Sequence, residues 1–298
     1  MNDSEASGPA GAALQPGLFR RLHKALTSDW AARISAYVVF LVLWQLLSMI
    51  VPRVPDPLEV FVFIWTEISG GSHGGVVRGQ FTTHFVVTLQ RFGLGLIIAI
   101  AFGTLLGIII GSTALARALL NDTILVFLAL PAIIWAFLTT MWFGIGPKAP
   151  IITTILSAFP FVTVNVAEGV RAIGPDLHRM SAAFGVSLQK KVRHLIIPAV
   201  MGYLFAGIRF AVIIGWNAVL LSEWFGSAEG VGWRTRFWYD ANRYRGFVGW
   251  VLLFIVFIVL LDRLVLSRLQ KYAFRWRDAQ TEAAEAAGHG PRREPGKL

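Results

Sequence analysis

Three residues of one long apolar stretch carry side chains that could handle a charged solute: Arg209, Asn217 and Glu223. Arg209 sits about a dozen residues into a run otherwise suited to lipid. Charges at such depth are costly and usually face a bundle interior or water. Asn217 follows eight residues later, roughly two helical turns, which returns it to nearly the same face. Glu223 lies near the end of the run. An arginine and an amide on one face could line a pathway for an anion. The same arginine could instead be structural, held by a carbonyl or a helix end. Catalytic patterns are missing from the sequence: there is no G-x-x-x-x-G-K-[ST] loop, nucleophile elbow or metal-ligand spacing. With no cysteine, disulfides and thiolate metal sites are excluded. His178 and His194 lie among cations and read as a solvated face.

A second cluster is the stretch SAAFGVSLQKKVRHLIIP, Ser181 to Pro198, a basic island between apolar runs. Ser181, Ala182 and Ala183 are small, as a helix needs when it enters another protein's groove. Gly185 permits a sharp turn. Lys190, Lys191 and Arg193 are placed to meet lipid headgroups. Pro198 suits the first turn of the next helix, where its missing N–H is harmless.

The elements that position these residues are membrane spans. Of 298 residues, 55% are hydrophobic and 15% charged, and the mean hydropathy is +0.62. A soluble domain keeps roughly a quarter of its residues charged. The net charge of +10 would suit a nucleic-acid binder. The cations, however, sit between apolar runs, which is the positive-inside pattern of membrane proteins, so no nucleic-acid partner is expected. A span needs about 20 apolar residues. Six segments come close: 34–51, 85–111, 119–143, 149–167, 195–221 and 246–266. Lipid leaves backbone groups no partner but each other, so the expected fold class is an all-α integral membrane protein. The first segment is too long for a signal peptide and no A-x-A site follows it, so it reads as a retained span. PDPLEVFVFIWTEIS is too short to cross and carries a capping pattern, Asp56, Pro57 and Glu59. It reads as a short interfacial helix lying on the membrane.

With the N-terminus in the cytoplasm, 18 of the 27 Lys and Arg fall inside, 7 outside and 2, Arg91 and Arg209, within spans. The asymmetry favours both termini inside. Four outer arginines, 234, 236, 243 and 245, run against it. The expected organisation is a cytoplasmic tail over 1–33, a transmembrane domain over 34–268 with its core at 83–268, and a cytoplasmic tail over 269–298, both tails partly disordered. Ala99, Gly103, Gly107 and Gly111 recur every four residues and predict close helix packing. Pro131 and Pro160 predict kinks. Trp135, Trp142, Trp216, Trp224, Trp233, Trp238 and Trp250 lie mostly near span ends and suit an aromatic belt.

The island resembles the EAA loop of bacterial ABC importer permeases, E-A-A-x-x-x-G-x9-I-x-L-P. Gly185 and Pro198 have its spacing, with Leu195 and Ile197 at the two apolar positions. Arg179, Met180 and Ser181 occupy the E-A-A places, so the acidic residue is absent. Flanking blocks narrow the resemblance to the nitrate/sulfonate/taurine type: TLQRFGLGLIIAIAFGTLLGIIIG, LPAIIWAFLTTMWFGIGPKAP and PAVMGYLFAGIRFAVIIGWNAVLLSEWFGSAEGVG. It covers about residues 35–268 and implies the type I ABC importer permease fold. It further implies a homodimer that forms the pathway, a separate ABC ATPase subunit that uses ATP and Mg, and a periplasmic or surface solute-binding protein. The chain itself would bind no cofactor and have no catalytic activity. Ser181, Ala182, Ala183 and Gly185 would dock into the ATPase, with Leu195, Ile197 and Pro198 anchoring the loop to the fifth span. Arg209, Asn217 and Glu223 are the candidates for the pathway. Two other readings compete. A self-sufficient secondary transporter of a small anion would need coupling carboxylates within the spans, whereas Asp122, Glu168 and Asp262 lie near span ends. An intramembrane enzyme would need paired catalytic groups at one depth, and the sequence offers none.

Overall fold

A computed structural model describes residues 29–69 and 81–268, all of whose regular elements are helices. The expected disordered segments at both ends lie outside the described residues, apart from the start of the first helix. Backbone contacts divide the chain into two units, residues 1–60 and 61–298.

In the first unit, helix α1 spans Asp29–Ile50, longer than the expected 34–51. Its apolar side chains are exposed along its length, as a lipid-facing helix requires. The turn that follows is pinned by Trp44 Nε1 donating to the Pro55 carbonyl at 3.0 Å and Gln45 Nε2 to Asp56 Oδ2 at 2.8 Å. Asp56 also accepts the Leu58 N–H at 2.8 Å, so it caps helix α2, Pro57–Ser69. The Gln45 amide and then the Leu58 N–H hold the Asp56 carboxyl below its usual value.

The second unit begins within α2. Its later turns are not simply spread on a membrane, as the sequence suggested: Phe63 and Glu67 are buried. Phe63 meets Trp238 edge-on with ring centroids 5.1 Å apart, and it lies where a Cβ on Gly249 would stand only 2.5 Å away. Then follow α3 (Phe81–Ser112), α4 (Ala114–Ala129), α5 (Ala132–Phe143) and α6 (Lys148–Arg171). After them come α7 (Pro175–Ala183), α8 (Leu188–Lys191), a π-helical turn (Val192–Ile196) and α9 (Ile197–Gly226). The chain continues through α10 (Val231–Asp240), α11 (Tyr244–Leu260) and a second π-helical turn (Leu261–Leu266).

Helix α6 is the axis of this unit, packed between α3 and α9, and Ala158, Val162 and Val166 on it are fully buried. The small-residue stripe of α3 does what its spacing predicts. A Cβ on Gly103 would stand 2.7 Å from the Phe159 carbonyl oxygen, and one on Gly107 2.7 Å from that of Thr163. The backbones are therefore in direct contact, the geometry by which dispersion holds helices together in lipid. Gly107→Val should force α3 and α6 apart and cost about 1–3 kcal/mol or more, as overpacking does. Gly93→Ala, where a Cβ meets nothing within 4 Å, should be neutral or stabilising. Thermal melting of the two purified variants in detergent tests the contrast.

The third expected span, 119–143, is corrected. It is two helices, α4 and α5, bent by 96° at Leu130–Pro131. Leu130 is extended (φ −75°, ψ 120°) because the proline ring disfavours helical geometry in the residue before it. Among the described residues five helices are long and apolar enough to cross a membrane, or six if this pair counts as one span. Pro160 acts differently: α6 runs on through it. The aromatic belt is also corrected. Of the seven, Trp135, Trp216, Trp238 and Trp250 are buried in the packing, and Trp142 is well exposed. Their large apolar rings fill the space between helices, a role that position near a span end does not reveal.

Candidate functional site

Helix α9 carries functional candidates at both ends and between them. Before its start, the loop from α6 turns at Gly174, and Pro175 supplies the first helical residue of α7. Helix α7 closes with Gly185 in the left-handed region (φ 61°). The Gly185 N–H bonds the Ala182 carbonyl and the Val186 N–H the Ser181 carbonyl, both at 3.0 Å. That pair of bonds is a Schellman motif, which satisfies the carbonyls left open at a helix end. Of the expected docking residues, Ala182, Ala183 and Gly185 are exposed and Ser181 is buried. The same helix and its capping residue expose large apolar side chains that sequence reasoning did not single out, foremost Met180, 53% exposed, and Phe184, 78% exposed.

The junction with α9 differs from the expectation. Pro198 is not at a fresh helix start, because α8 and the π turn lead straight into α9. The Ile197 N–H reaches back five residues to the Val192 carbonyl. This wider turn comes just before a residue that has no N–H to give and whose ring crowds the preceding turn. Leu195 packs against the core, but Ile197 and Pro198 are exposed; Ile196 and Val200 are the buried anchors. The extra residue in the π turn shifts the inward face by one position.

At the far end of α9, Glu223 is fully buried and paired. Arg91, three turns into α3, sends Nη1 to Glu223 Oε1 at 3.0 Å, Ser227 Oγ at 2.9 Å and the Glu229 carbonyl at 3.0 Å. Its Nη2 reaches Glu229 Oε1 at 2.7 Å. Glu223 Oε2 accepts from the Thr88 hydroxyl at 2.7 Å and from the Gly232 N–H at 3.0 Å. The Val231 N–H donates to Thr88 Oγ1 at 2.7 Å and the Gly230 N–H to His84 Nδ1 at 3.1 Å. His84, Thr88 and Arg91 share one face of α3 at helical spacing. Gly230 (φ 104°) passes so close that a Cβ there would stand 2.3 Å from the Glu223 carboxyl carbon. The cluster ties α3, the end of α9 and the start of α10 together, with the one guanidinium shared between two carboxylates. A second buried pair joins Glu67 of α2 and Arg234 of α10 at 3.8 Å. The Arg234 guanidinium stands over the Phe237 ring at 4.9 Å. Burial pushes the Glu67 carboxyl up against the pull of Arg234, and lowers the Arg234 guanidinium. One of the four outer arginines that ran against the charge rule is thus an internal ion-pair partner.

Arg209 lies between these ends. It forms a bidentate pair with Asp262 of the second π turn, Nε to Oδ1 at 2.8 Å and Nη2 to Oδ2 at 2.7 Å. The pair is partly exposed. Asn217 is exposed, and its Nδ2 donates to the Ile213 carbonyl at 2.9 Å. The structure therefore does not gather the three pathway candidates: Arg209 and Asn217 share the open face of α9, and Glu223 is enclosed with Arg91. Arg91 and Glu223 are 132 residues apart, so sequence could mark each as a charge near lipid but could not pair them.

Residues 99–276 match the family described as binding-protein-dependent transport system inner membrane component. The nitrate import permease protein NrtB of Synechococcus elongatus is 27% identical over 236 residues, 76% of this chain and 84% of that protein. The putative aliphatic sulfonates transport permease protein SsuC of Bacillus subtilis is 22% identical over 84% of this chain and 89% of its own length. The taurine transport system permease protein TauC of Escherichia coli is 26% identical over 68% of this chain and 74% of its own length. Among solved structures, an inward-facing MetNI methionine ABC transporter chain superposes with a TM-score of 0.56 at 18% identity, covering 65% of this chain and 95% of that one. With its apolar helices, its fold and this match together, the chain belongs to the family of binding-protein-dependent transport inner membrane components, the multi-pass permease subunits of ABC importers.

Proposed function

We propose that this chain is the translocating subunit of an ATP-driven importer of a small anion. It works as a dimer by alternating access, with both termini in the cytoplasm. A separate ATPase holds ATP and Mg and receives α7 in a groove, and a binding protein outside delivers the solute. The relatives named for nitrate, sulfonate and taurine support an anion as the solute.

The observation that carries the reading is the tip of α7. A nine-residue helix between two long apolar spans exposes Met180, Ala182, Ala183 and Phe184 around a rigid Schellman turn. Apolar side chains held out on a polar loop gain by entering a partner's pocket. The short, capped helix is stiff enough to transmit a push to α9 through the continuous helical junction. Exposed aromatic anchors of this kind contribute about 2 kcal/mol or more, roughly thirtyfold in affinity. Phe184→Asp should therefore cut recovery of the ATPase with the tagged permease by about that factor, measured by quantitative pull-down from membranes. Equal recovery, or ion-gradient-driven uptake by the purified chain alone in liposomes, would remove the coupling role.

A further inference from the structure

A partly open cavity of about 210 Å³ lies between α9, α10 and α11. Val231, Gly232 and Thr235 of α10 are buried and form its closed side. Leu221 and Trp224 of α9 and Val251 and Phe254 of α11 are half-buried and form its mouth. Two aromatic contacts join α9 to α11 at its ends, Trp224 to Phe247 and Trp216 to Phe254, each with ring centroids 6.3 Å apart. Both helices are long and apolar enough to cross a membrane. A cleft between two such helices opens on lipid unless protein covers it. Its walls offer a charged solute little, because Asn217 and Thr235 already donate to backbone carbonyls, at 2.9 and 2.7 Å. The space exceeds the roughly 150 Å³ that holds a benzene ring in an apolar protein cavity. Left empty, it would deny its lining the dispersion contacts of a packed interior.

An unpaired cation stands one turn above this space. The Phe247 N–H bonds the Arg243 carbonyl at 3.3 Å, so Arg243 opens the helix whose next turns, through Phe247, Val251 and Phe254, line the wall. Its backbone is fixed by a second Schellman turn. Asn242 is left-handed (φ 55°), the Arg243 N–H bonds the Trp238 carbonyl at 3.1 Å and the Asn242 N–H the Tyr239 carbonyl at 3.0 Å. Arg243 is exposed and has no ion pair among the described residues, unlike Arg236 with Asp240 and Arg209 with Asp262. An apolar cleft with a free arginine at its head matches a phospholipid, a phosphate above a hydrocarbon chain.

We infer that the cavity holds an acyl chain of a bilayer phospholipid whose phosphate meets Arg243. This occupant belongs to the membrane and not to the transported solutes, so the inference is independent of the permease reading. Native mass spectrometry of the chain purified from membranes in mild detergent tests it. The parent should retain a phospholipid. Leu221→Trp and, from the facing wall, Val251→Phe fill the cavity, and each should cut the retained fraction about tenfold, the scale of overpacking. Arg243→Gln should cut it about fivefold, the worth of an arginine near a headgroup. Arg245 is also exposed but lies about 200° around α11 from Phe247, so Arg245→Gln should leave retention unchanged. No retained lipid, retention unchanged in a folded cavity variant, or equal losses in the two arginine variants would each overturn the inference. A second copy of the chain is the competing occupant. The chain has no cysteine, so Leu221→Cys places a lone thiol at the mouth. A dimer cross-linked through that thiol on oxidation would assign the cleft to the second copy and also overturn the inference.

Discussion

Arg91→Leu should lower the stability of the membrane domain by about 3–5 kcal/mol, because it leaves Glu223 fully buried and without its countercharge. Removing one member of a buried pair costs far more than removing both. The double variant Arg91→Leu/Glu223→Leu should therefore be more stable than either single one. It should still fall short of the parent, since Thr88, Ser227 and the Gly232 N–H lose partners too. Thermal melting of all four proteins in detergent gives the cycle. If the single substitutions simply add in the double, the two side chains are not coupled and the cluster does not clamp the end of α9. Uptake should follow stability here, since the cluster fixes the loop from Ser227 to Val231 between α9 and α10.

The second large effect is expected at Gly185, and it should appear in transport rather than in stability. Its φ of 61° disfavours a side chain by about 1–2 kcal/mol. A Cβ there meets nothing of the chain itself within 4 Å, so the fold should survive. Gly185→Glu should insert normally yet abolish uptake, because it places a charge beside Phe184 on the surface proposed to enter the ATPase. Gly185→Asn should keep most of the turn, since asparagine visits the left-handed region with a local hydrogen bond. Comparing membrane content, ATPase recovery and uptake for the two separates the requirements. Normal uptake by Gly185→Glu would count against docking at this tip, whereas failure of both variants to reach the membrane would mark the turn as needed for folding.

The second of these sites shows where sequence sufficed, the first where it did not. The Schellman turn at Gly185, the cap at Asp56, the glycine face of α3 and the membrane class are all written in short-range patterns. Each follows from a rule that acts within a helical turn or a bilayer thickness. The loop pattern and its ordered flanking blocks were enough to state the resemblance that the family match bears out. What escaped was long-range. The break at Pro131 was legible as a kink, but its 96° bend depends on what the two halves pack against. The π turn before Pro198 moved the buried positions to Ile196 and Val200, because one extra residue in a helix rotates everything after it. Four of the seven tryptophans placed at an interface by hydropathy were found inside by packing.

By itself the sequence determined that this chain is a bundle of helices in lipid with a glycine-turned basic loop, because apolar runs of about 20 residues, too long for spanning strands, satisfy their backbone groups in lipid as helices. Only the tertiary structure decided that Arg91 belongs to Glu223, Arg234 to Glu67 and Arg209 to Asp262. A charge near lipid must find a partner, but which partner is set by the approach of helices far apart along the chain, and no local pattern records it.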